Sequence, residues 1–219
     1  MATTKKATLI GATGLIGGHL LKCLEEDAAY ESIRLLVRRP FKPSSPKTTA
    51  TIIDFGDATS FRNAIKGSDV IFCAIGTTQQ KVGGDKEAYR KIDFDIAVNA
   101  AHYGQESGCL HFVLVSSVGA NSQASNFYLQ LKGEIEEAIQ AAGLPAVSIF
   151  QPSMLLGNRQ EKRIGERIGQ VAMSTLSFLI PSKYKPIEAS EVAKAMAAIG
   201  KQEMSGVKKY TYREMKALL

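Results

Sequence analysis

The sequence predicts an α/β domain built on a doubly wound, mostly parallel sheet. Short apolar runs without polar alternation recur along the chain, as expected of strands that are buried on both faces. Helical patterns separate these runs, and such alternation implies parallel strands joined by right-handed crossovers. No internal repeat or interior linker divides the chain. We therefore expect a single domain over residues 1–219, in which residues 151–219 contribute the cover on the substrate side.

Six strands are predicted before residue 151, and each is an apolar run of four to six residues: Ala7–Ile10, Ile33–Val37, Thr51–Asp54, Val70–Ile75, Phe112–Val115 and Val147–Phe150. Phe41–Thr49, rich in Pro, Ser and Lys, is predicted to be a surface loop. Predicted helices include one capped by Asp57, a long one over Lys86–Glu106, and one over Tyr128–Ala142 that Gly143 ends. Beyond the sixth strand the pattern is weaker. It predicts helices over Glu161–Leu179 and Ala189–Ile199, followed by a last strand over Val207–Tyr212 and a short helix.

A glycine motif follows the first strand and opens the first helix. Its residues, Gly11, Gly14 and Gly17, lie in the run KATLIGATGLIGGHLL. In a strand–turn–helix context, the first glycine allows a tight turn, the second allows close approach of a pyrophosphate, and the third allows the helix to pack on the strand. The helix N-terminus then offers free N–H groups to the phosphates. The motif predicts a dinucleotide site, and an ordinary tight turn between strand and helix is the alternative.

Composition narrows the class of protein without identifying a function. The chain is 45% hydrophobic and 22% charged, which is typical of a globular domain. Its net charge of +6 suits an anionic ligand, but the basic residues are dispersed, so we expect no nucleic-acid binding. Three separated cysteines form neither a metal-ligand spacing nor a disulfide framework, which indicates a reducing compartment and no metal.

Targeting and membrane features are not evident in the sequence. The N-terminal MATTKK leads directly into the first strand, so we expect no cleavable signal peptide. No apolar run is long enough to span a bilayer. The apolar run Val171–Ile180 is expected to pack over the substrate cleft, and contact with a membrane or a partner subunit is the alternative. We expect a cytoplasmic protein with no membrane partner.

A second group of residues predicts proton transfer beside a nicotinamide. Tyr128 and Lys132 are four residues apart, so a helix brings them to one face. The fifth strand ends at Ser116-Ser117, and the carboxyl edge of a parallel sheet is where ligands bind. A phenol titrates near pKa ~10, and a neighbouring ammonium would favour its anion. The alternative is a surface tyrosine beside a solvated lysine.

The run SSVGANSQASNFYLQLKGEIEEAI and the glycine spacing in GATGLIGG resemble those of short-chain dehydrogenases/reductases. The resemblance is to the atypical members, and within them to the Tat-interacting-protein (CC3-like) branch, in which elements such as SS-x-G-A recur. It covers essentially the whole chain. It implies a Rossmann fold with strand order 3-2-1-4-5-6, bound NAD(P), and a catalytic role for Ser117, Tyr128 and Lys132. Asn99 is a further catalytic candidate by the resemblance, because it stands near the place of the family's helix asparagine, which helps to position a water beside the lysine; a capping or packing role is the alternative.

The cofactor is expected to be NADP(H), with NAD(H) as the alternative. A basic residue after the second strand favours a 2′-phosphate, and this chain has Arg38 and Arg39 there and no acid. The resemblance and the glycine motif together give these candidate cofactor-binding residues: Gly11, Thr13, Gly14, Leu15, Ile16, Gly17, Arg38, Arg39, Asp54, Phe55, Ala74, Ile75, Gly76, Tyr128, Lys132, Gln151, Pro152 and Ser153. Gln151-Pro152-Ser153 departs from the usual R-P-G element of the family.

Three functions fit these observations. The first is an NADP(H)-dependent oxidoreductase that acts on a small carbonyl or alcohol substrate. The second is a redox-silent NADPH-binding regulator that acts through protein partners; such members usually lack the tyrosine or the lysine, and this chain has both. The third is a sugar-nucleotide epimerase-like enzyme, for which the region after Phe150 is short. The resemblance permits either a monomer or a homodimer.

Overall fold

The structure is a computed structural model that describes residues 4–157 and 181–219. The predicted helix at Glu161–Leu179 and the apolar run Val171–Ile180 lie outside the described residues. Within that part of the chain, no helix combines the length and the apolar character needed to cross a membrane.

In the described residues, seven strands form one parallel sheet in the order β3-β2-β1-β4-β5-β6-β9. Their bounds are β1 Lys5–Ile10, β2 Tyr30–Val37, β3 Thr48–Ile52, β4 Val70–Cys73, β5 His111–Val115, β6 Ala146–Phe150 and β9 Gly206–Tyr210. Two short strands, β7 Leu155–Leu156 and β8 Ile187–Glu188, pair separately in parallel. The doubly wound parallel sheet and the strand order 3-2-1-4-5-6 are confirmed, and β9 extends the sheet beyond β6.

Helices cover both faces of this sheet. Their bounds are α1 Leu15–Glu26, α2 Ala58–Ile65, α3 Lys86–Arg90, α4 Ile96–Glu106, α5 Phe127–Ala141, α6 Ala189–Gly200 and α7 Tyr212–Lys216. One core layer lies between one face of the sheet and the two helices α1 and α6. Leu20, Leu24 and Met196 are buried in this layer. The other lies under α2, α4 and α5, where Phe61 and Ile135 are fully buried. The central strands β4, β5 and β6 are thus buried almost throughout, as their apolar sequences require.

Local sequence explains most of the element boundaries. Asp57 caps α2 as predicted, because its side chain accepts hydrogen bonds from the Thr59 and Ser60 N–H groups. The strand β3 begins at Thr48, three residues earlier than predicted, and pairs with β2 from Ile33 onward. Its side chains are largely half-exposed or exposed, so this edge strand carries no continuous apolar run that would mark it in the sequence.

The predicted long helix over Lys86–Glu106 is present but is not uniform. A π-helical turn, Lys91–Asp95, joins α3 to α4. Such turns insert an extra residue into the helical repeat, so the residues within them point in directions that a regular 3.6-residue period does not predict. This turn lies beside the carboxyl edge of the sheet and contributes to the site described next.

Candidate active site at the carboxyl edge of the sheet

The glycine turn after β1 is packed so closely that two of its positions exclude any side chain. Gly11 has φ +95°, and a Cβ added there would lie 2.6 Å from the backbone carbonyl of Ala74, just after β4. A Cβ added at Gly17 would lie 2.0 Å from the Gly11 carbonyl oxygen. The turn therefore holds the end of β1 against both β4 and the first turn of α1, as a phosphate-binding turn requires.

Gly14 lies at the open end of this turn. It is exposed and precedes α1, and no side chain caps the helix there. A Cβ at Gly14 would come no closer than 3.2 Å to the Gly11 carbonyl oxygen, a tight contact but far milder than the overlap at Gly17. The uncapped N–H groups at the start of α1 and the positive end of its dipole suit an anionic group outside Gly14.

The neighbouring candidates differ in what they can offer to a pyrophosphate. Thr13 is exposed at the turn, whereas Ile16 is buried in the core and Leu15 packs against that core. Leu15 and Ile16 can therefore contribute backbone N–H groups at the helix start and not their side chains. The pattern of one exposed hydroxyl, an accessible backbone and an exposed glycine at Gly14 fits a dinucleotide phosphate.

A groove of about 510 Å³ lies at the carboxyl ends of β2 and β3. Arg38 and Asp54 line this groove. The other residues that line it are apolar: Ile52, Ile53, Phe55, Ile92 and Ile96. Asp54 is exposed and accepts a hydrogen bond from the Gly56 N–H at 2.8 Å. Apolar walls beside the Arg38 guanidinium suit a flat aromatic ring that carries a phosphate, and the Asp54 carboxylate also lines the groove. Arg39 is exposed but does not line the groove.

Tyr128 and Lys132 lie one turn apart on α5, as predicted. Tyr128 is 38% exposed, Lys132 is 6% exposed, and the Lys132 Nζ lies 5.9 Å from the centroid of the Tyr128 ring. The loop after β5 packs tightly on this helix: a Cβ at Gly133 would lie 2.1 Å from the Ser122 nitrogen, and the Asn121 N–H donates to the Leu129 carbonyl. This close packing brings the loop that carries Ser117 against the first turns of α5.

Ser117 is half-buried at the start of that loop, and its Oγ lies 3.4 Å from the Val118 carbonyl oxygen. That distance indicates a weak hydrogen bond at most. The preceding Ser116 is buried, and its Oγ donates to Glu136 Oε1 at 2.5 Å. The two adjacent serines therefore differ: Ser116 is fixed within the protein, and Ser117 keeps a hydroxyl at the edge of the sheet.

The partner of Lys132 is Asp93, which the sequence analysis did not identify. Asp93 Oδ2 accepts from Lys132 Nζ at 3.0 Å, and its Oδ1 accepts from the Thr77 N–H at 2.7 Å. The pair is buried, with side-chain exposures of 7% for Lys132 and 1% for Asp93. Burial alone would lower the pKa of Lys132, but the Asp93 carboxylate, with a smaller contribution from Tyr128, raises that pKa above its usual value.

Asn99, the residue that the sequence analysis placed beside the lysine, lies farther along α4. It is half-buried there, and across residues 4–157 and 181–219 no hydrogen bond joins it to Lys132. The physical reason is the π-helical turn: it directs Asp93 inward, nearly two helical turns before Asn99. The geometry thus supports Asp93 in the place that the sequence analysis gave to Asn99.

The loop after β4 connects the two halves of the site. Ala74 N–H donates to the Ile10 carbonyl at 2.9 Å, which continues the sheet beside the glycine turn. Ile75 is half-buried, and a Cβ at the exposed Gly76 would lie 3.8 Å from Asp93 Oδ2. The predicted cofactor-lining loop therefore borders both the phosphate turn and the buried Asp93–Lys132 pair.

Residues 151–153 direct their side chains into the protein. Gln151 Nε2 donates to both carboxylate oxygens of Glu136, at 2.8 and 3.0 Å, and Lys209 Nζ lies 2.7 Å from Glu136 Oε2. Ser153 Oγ donates to the Lys185 carbonyl, and Pro152 is buried. Gln151 was a candidate cofactor-binding residue, but a direct contact of its amide with a cofactor is disfavoured because Glu136 already binds that amide. Within the described residues, no cluster of His, Cys, Asp or Glu has the arrangement of a metal site.

Comparison with known proteins identifies the family. The model of a family described as NAD(P)H-binding matches residues 11–203 of this chain. The chain belongs to this NAD(P)H-binding family. Protein HTATIP2 of Rattus norvegicus is 33% identical over 175 residues, which cover 78% of this chain and 72% of that protein. The resemblance to atypical short-chain dehydrogenases/reductases of the Tat-interacting-protein branch is confirmed.

A second set of relatives in the family carries a location in its name. Protein FMP52, mitochondrial, of Candida albicans is 33% identical over 204 residues, which cover 90% of this chain and 89% of that protein. A protein of the same name from Debaryomyces hansenii is 34% identical over 207 residues, which cover 91% of this chain and 89% of that protein. The cytoplasmic location expected from the sequence is wrong on this comparison, since these family members are named mitochondrial.

Solved structures share the fold at much lower identity. MoeE5 in complex with UDP-glucuronic acid and NAD superposes with a TM-score of 0.74 and 15% identity, covering 94% of this chain and 76% of that one. A UDP-N-acetylglucosamine 4-epimerase from Methanobrevibacter ruminantium M1 superposes with a TM-score of 0.72 and 16% identity. The match covers 95% of this chain and 77% of the epimerase chain. Such likeness establishes the fold alone. Together with the family match, it makes this chain an NAD(P)-binding protein with an oxidoreductase-like fold.

Proposed function

We propose that this protein is an NADP(H)-dependent oxidoreductase that transfers a hydride to or from a small carbonyl or alcohol substrate. The observation that supports this most directly is the arrangement of Tyr128 and Lys132 on α5. The Lys132 ammonium lies 5.9 Å from the Tyr128 ring centroid, at the same sheet edge as the glycine turn. A partly exposed phenol beside a buried, paired ammonium suits proton transfer better than it suits a solvated surface pair.

Each residue of the group has a separate task in this proposal. When bound, the nicotinamide supplies or accepts the hydride. The Tyr128 hydroxyl donates a proton to the substrate oxygen during reduction and takes it back during oxidation. Lys132 stabilises the phenolate that remains, because opposite charges attract strongly in a site of low dielectric constant. The Ser117 hydroxyl donates a hydrogen bond to the substrate oxygen and fixes its orientation.

The preference for NADP(H) over NAD(H) rests on Arg38. Its position at the groove after β2 and β3 would place a guanidinium beside the 2′ position of an adenosine ribose. Asp54, which would otherwise compete for ribose hydroxyls, accepts a hydrogen bond from the Gly56 N–H. Arg39 does not line this groove, so we assign the phosphate contact to Arg38 rather than to its neighbour.

Tyr128→Phe tests the oxidoreductase proposal. The change removes the proton donor while keeping the ring, so turnover of NADPH with aldehydes, ketones or quinones should fall at least about a hundredfold. The affinity for NADPH, measured by nicotinamide fluorescence, should remain within about twofold. Turnover that is unchanged in the variant would remove Tyr128 from the mechanism. Tight NADPH binding with no turnover of any substrate by the wild-type protein would favour the redox-silent regulator instead.

Location and partners are also proposals. The names of the FMP52 relatives support a mitochondrial location for this chain, which subcellular fractionation of the source cells would check. A small carbonyl or alcohol remains the proposed substrate. The family resemblance predicts that the chain acts either as a monomer or as a homodimer.

A further inference from the structure

A single buried carboxylate joins two parts of the proposed active site. Asp93 uses Oδ2 to accept from the Lys132 ammonium at 3.0 Å and Oδ1 to accept from the Thr77 N–H at 2.7 Å. Thr77 belongs to the loop after β4, and Lys132 belongs to α5. Asp93 itself is 1% exposed, so both contacts are shielded from bulk solvent. The side chain therefore fixes the lysine relative to the loop that is expected to line the cofactor.

We propose that Asp93 is a positioning residue that keeps Lys132 protonated and directed at the carboxyl edge of the sheet, beside Tyr128. This inference rests on the proposed function, because Lys132 matters to the reaction only if Tyr128 transfers the proton. A buried lysine without a partner loses its proton far more readily than a solvated one, since burial disfavours the charged form. The neutral amine would no longer stabilise a phenolate at Tyr128.

The groups that face Lys132 come from four elements. Asp93 belongs to the π-helical turn, Tyr128 to the same helix α5, Tyr89 to α3, and Cys73 to the end of β4. Burial raises the pKa of Cys73 to about 11, so this buried thiol carries no charge near neutral pH. Among the described groups that act on Lys132, Asp93 therefore supplies the negative charge that offsets desolvation.

The π-helical turn explains how Asp93 reaches this position. Ile92 lines the groove at the carboxyl ends of β2 and β3, as does Ile96 at the start of α4. Asp93, between them in sequence, faces away from that groove toward Lys132 and Thr77. The turn thus contacts the proposed adenosine end of the cofactor with its apolar residues and the reacting end with its carboxylate.

Asp93→Asn is the variant that separates a charge role from a packing role, because the amide keeps the size of the side chain. We would label the lysine side chains with ¹⁵N, assign Lys132 with Lys132→Met, and titrate the cofactor-free protein by NMR. In the wild-type protein the ammonium should persist above the usual lysine pKa. In Asp93→Asn its midpoint should fall by at least about one pH unit, a tenfold larger neutral fraction at a given pH.

Asp95→Asn is the matched control. Asp95 lies in the same π-helical turn, is exposed, and makes no side-chain cap to α4. This variant removes the same charge from the same segment, so the Lys132 midpoint should stay at its wild-type value. A Lys132 midpoint that is the same in Asp93→Asn and in Asp95→Asn would overturn the proposal.

Turnover gives a second readout. If Asp93 sustains the charge on Lys132, the alkaline limb of the pH profile of kcat should move to lower pH in Asp93→Asn, while a structural role alone would lower kcat without moving the limb. Should Asp93→Asn fail to fold, the wild-type titration still decides, because loss of the Lys132 proton well below pH 10 contradicts the proposal. Titrations as expected with no turnover in any variant would count against the proposed function alone.

Discussion

Charged side chains that the fold buries lie at the carboxyl edge of the sheet and are paired there. Asp93 pairs with Lys132, and Glu136 accepts from Ser116, Gln151 and Lys209. An unpaired buried charge is very costly, so each of these groups is retained only with its partners. At the residue scale, the buried ion pairs of the described residues lie where the strands end, whereas buried polar contacts such as His111–Ser148 also occur elsewhere in the core.

His111 is a buried titratable residue away from the proposed site. Its Nε2 lies 2.9 Å from Ser148 Oγ, and desolvation lowers its pKa to about 4, with a smaller contribution from Lys5. The folded state thus holds the neutral ring, while the unfolded chain binds a proton below pH ~6.5. The stabilisation is complete above pH ~6.5 and is lost as the pH falls from there through 4.

We expect His111→Gln to flatten this pH dependence. Between pH 6.5 and 5 the wild-type free energy of unfolding should fall by about 1–2 kcal/mol through His111, and the glutamine, which does not titrate, should remove that part. His102→Gln, at an exposed histidine on α4, is the control and should keep the wild-type slope. Denaturant unfolding at several pH values measures this. Equal slopes in the wild-type protein and in His111→Gln would show that His111 is not the group responsible.

At the element scale, two glycines at the junction of β1 with α1 have different roles, one in packing and the other in ligand binding. Gly17 carries the close contact between the helix and the turn, whereas Gly14 faces outward. Gly17→Val should overlap the Gly11 carbonyl and destabilise the fold by several kcal/mol, about 3 or more. Gly14→Val should leave unfolding nearly unchanged and abolish NADPH binding. Thermal unfolding and fluorescence titration check both, and normal NADPH affinity in Gly14→Val would contradict the placement of the pyrophosphate.

Some of these elements can be predicted from the sequence and others cannot. The apolar runs and the helical patterns between them predict a parallel sheet and the helix that carries Tyr128, because these depend on local pattern and on topological rules. The strand order follows from the family resemblance. Asp93 could not be predicted in this way. Its burial depends on a π-helical turn that shifts the helical phase and on a lysine 39 residues away. The early start of β3 could not be predicted for a related reason. This segment is a strand because it pairs with β2, and not because of its own hydrophobicity.

At the scale of the whole molecule, one sheet edge carries the main parts of the proposed site. The glycine turn follows β1, the Arg38 groove follows β2 and β3, the loop to Thr77 follows β4, and Ser117 follows β5. In parallel sheets of this topology, ligands bind at that edge because all the strands end there. β9 extends the sheet on the far side of β6 and supplies Lys209 to the Glu136 cluster. In the proposed function, this edge would hold the adenosine at the Arg38 groove and the reacting groups beside Tyr128.

The most direct test of the central claim is a titration of the purified protein with NADPH and with NADH, followed by nicotinamide fluorescence, for the wild type, Arg38→Ala and Arg39→Ala. We predict that the wild type binds NADPH more tightly. Arg38→Ala should lose at least about tenfold in NADPH affinity and change little toward NADH, because a guanidinium–phosphate contact is worth roughly 1.5–3 kcal/mol. Arg39→Ala should have a smaller effect. Equal losses for the two cofactors in Arg38→Ala, or no binding of either cofactor by the wild type, would contradict the account.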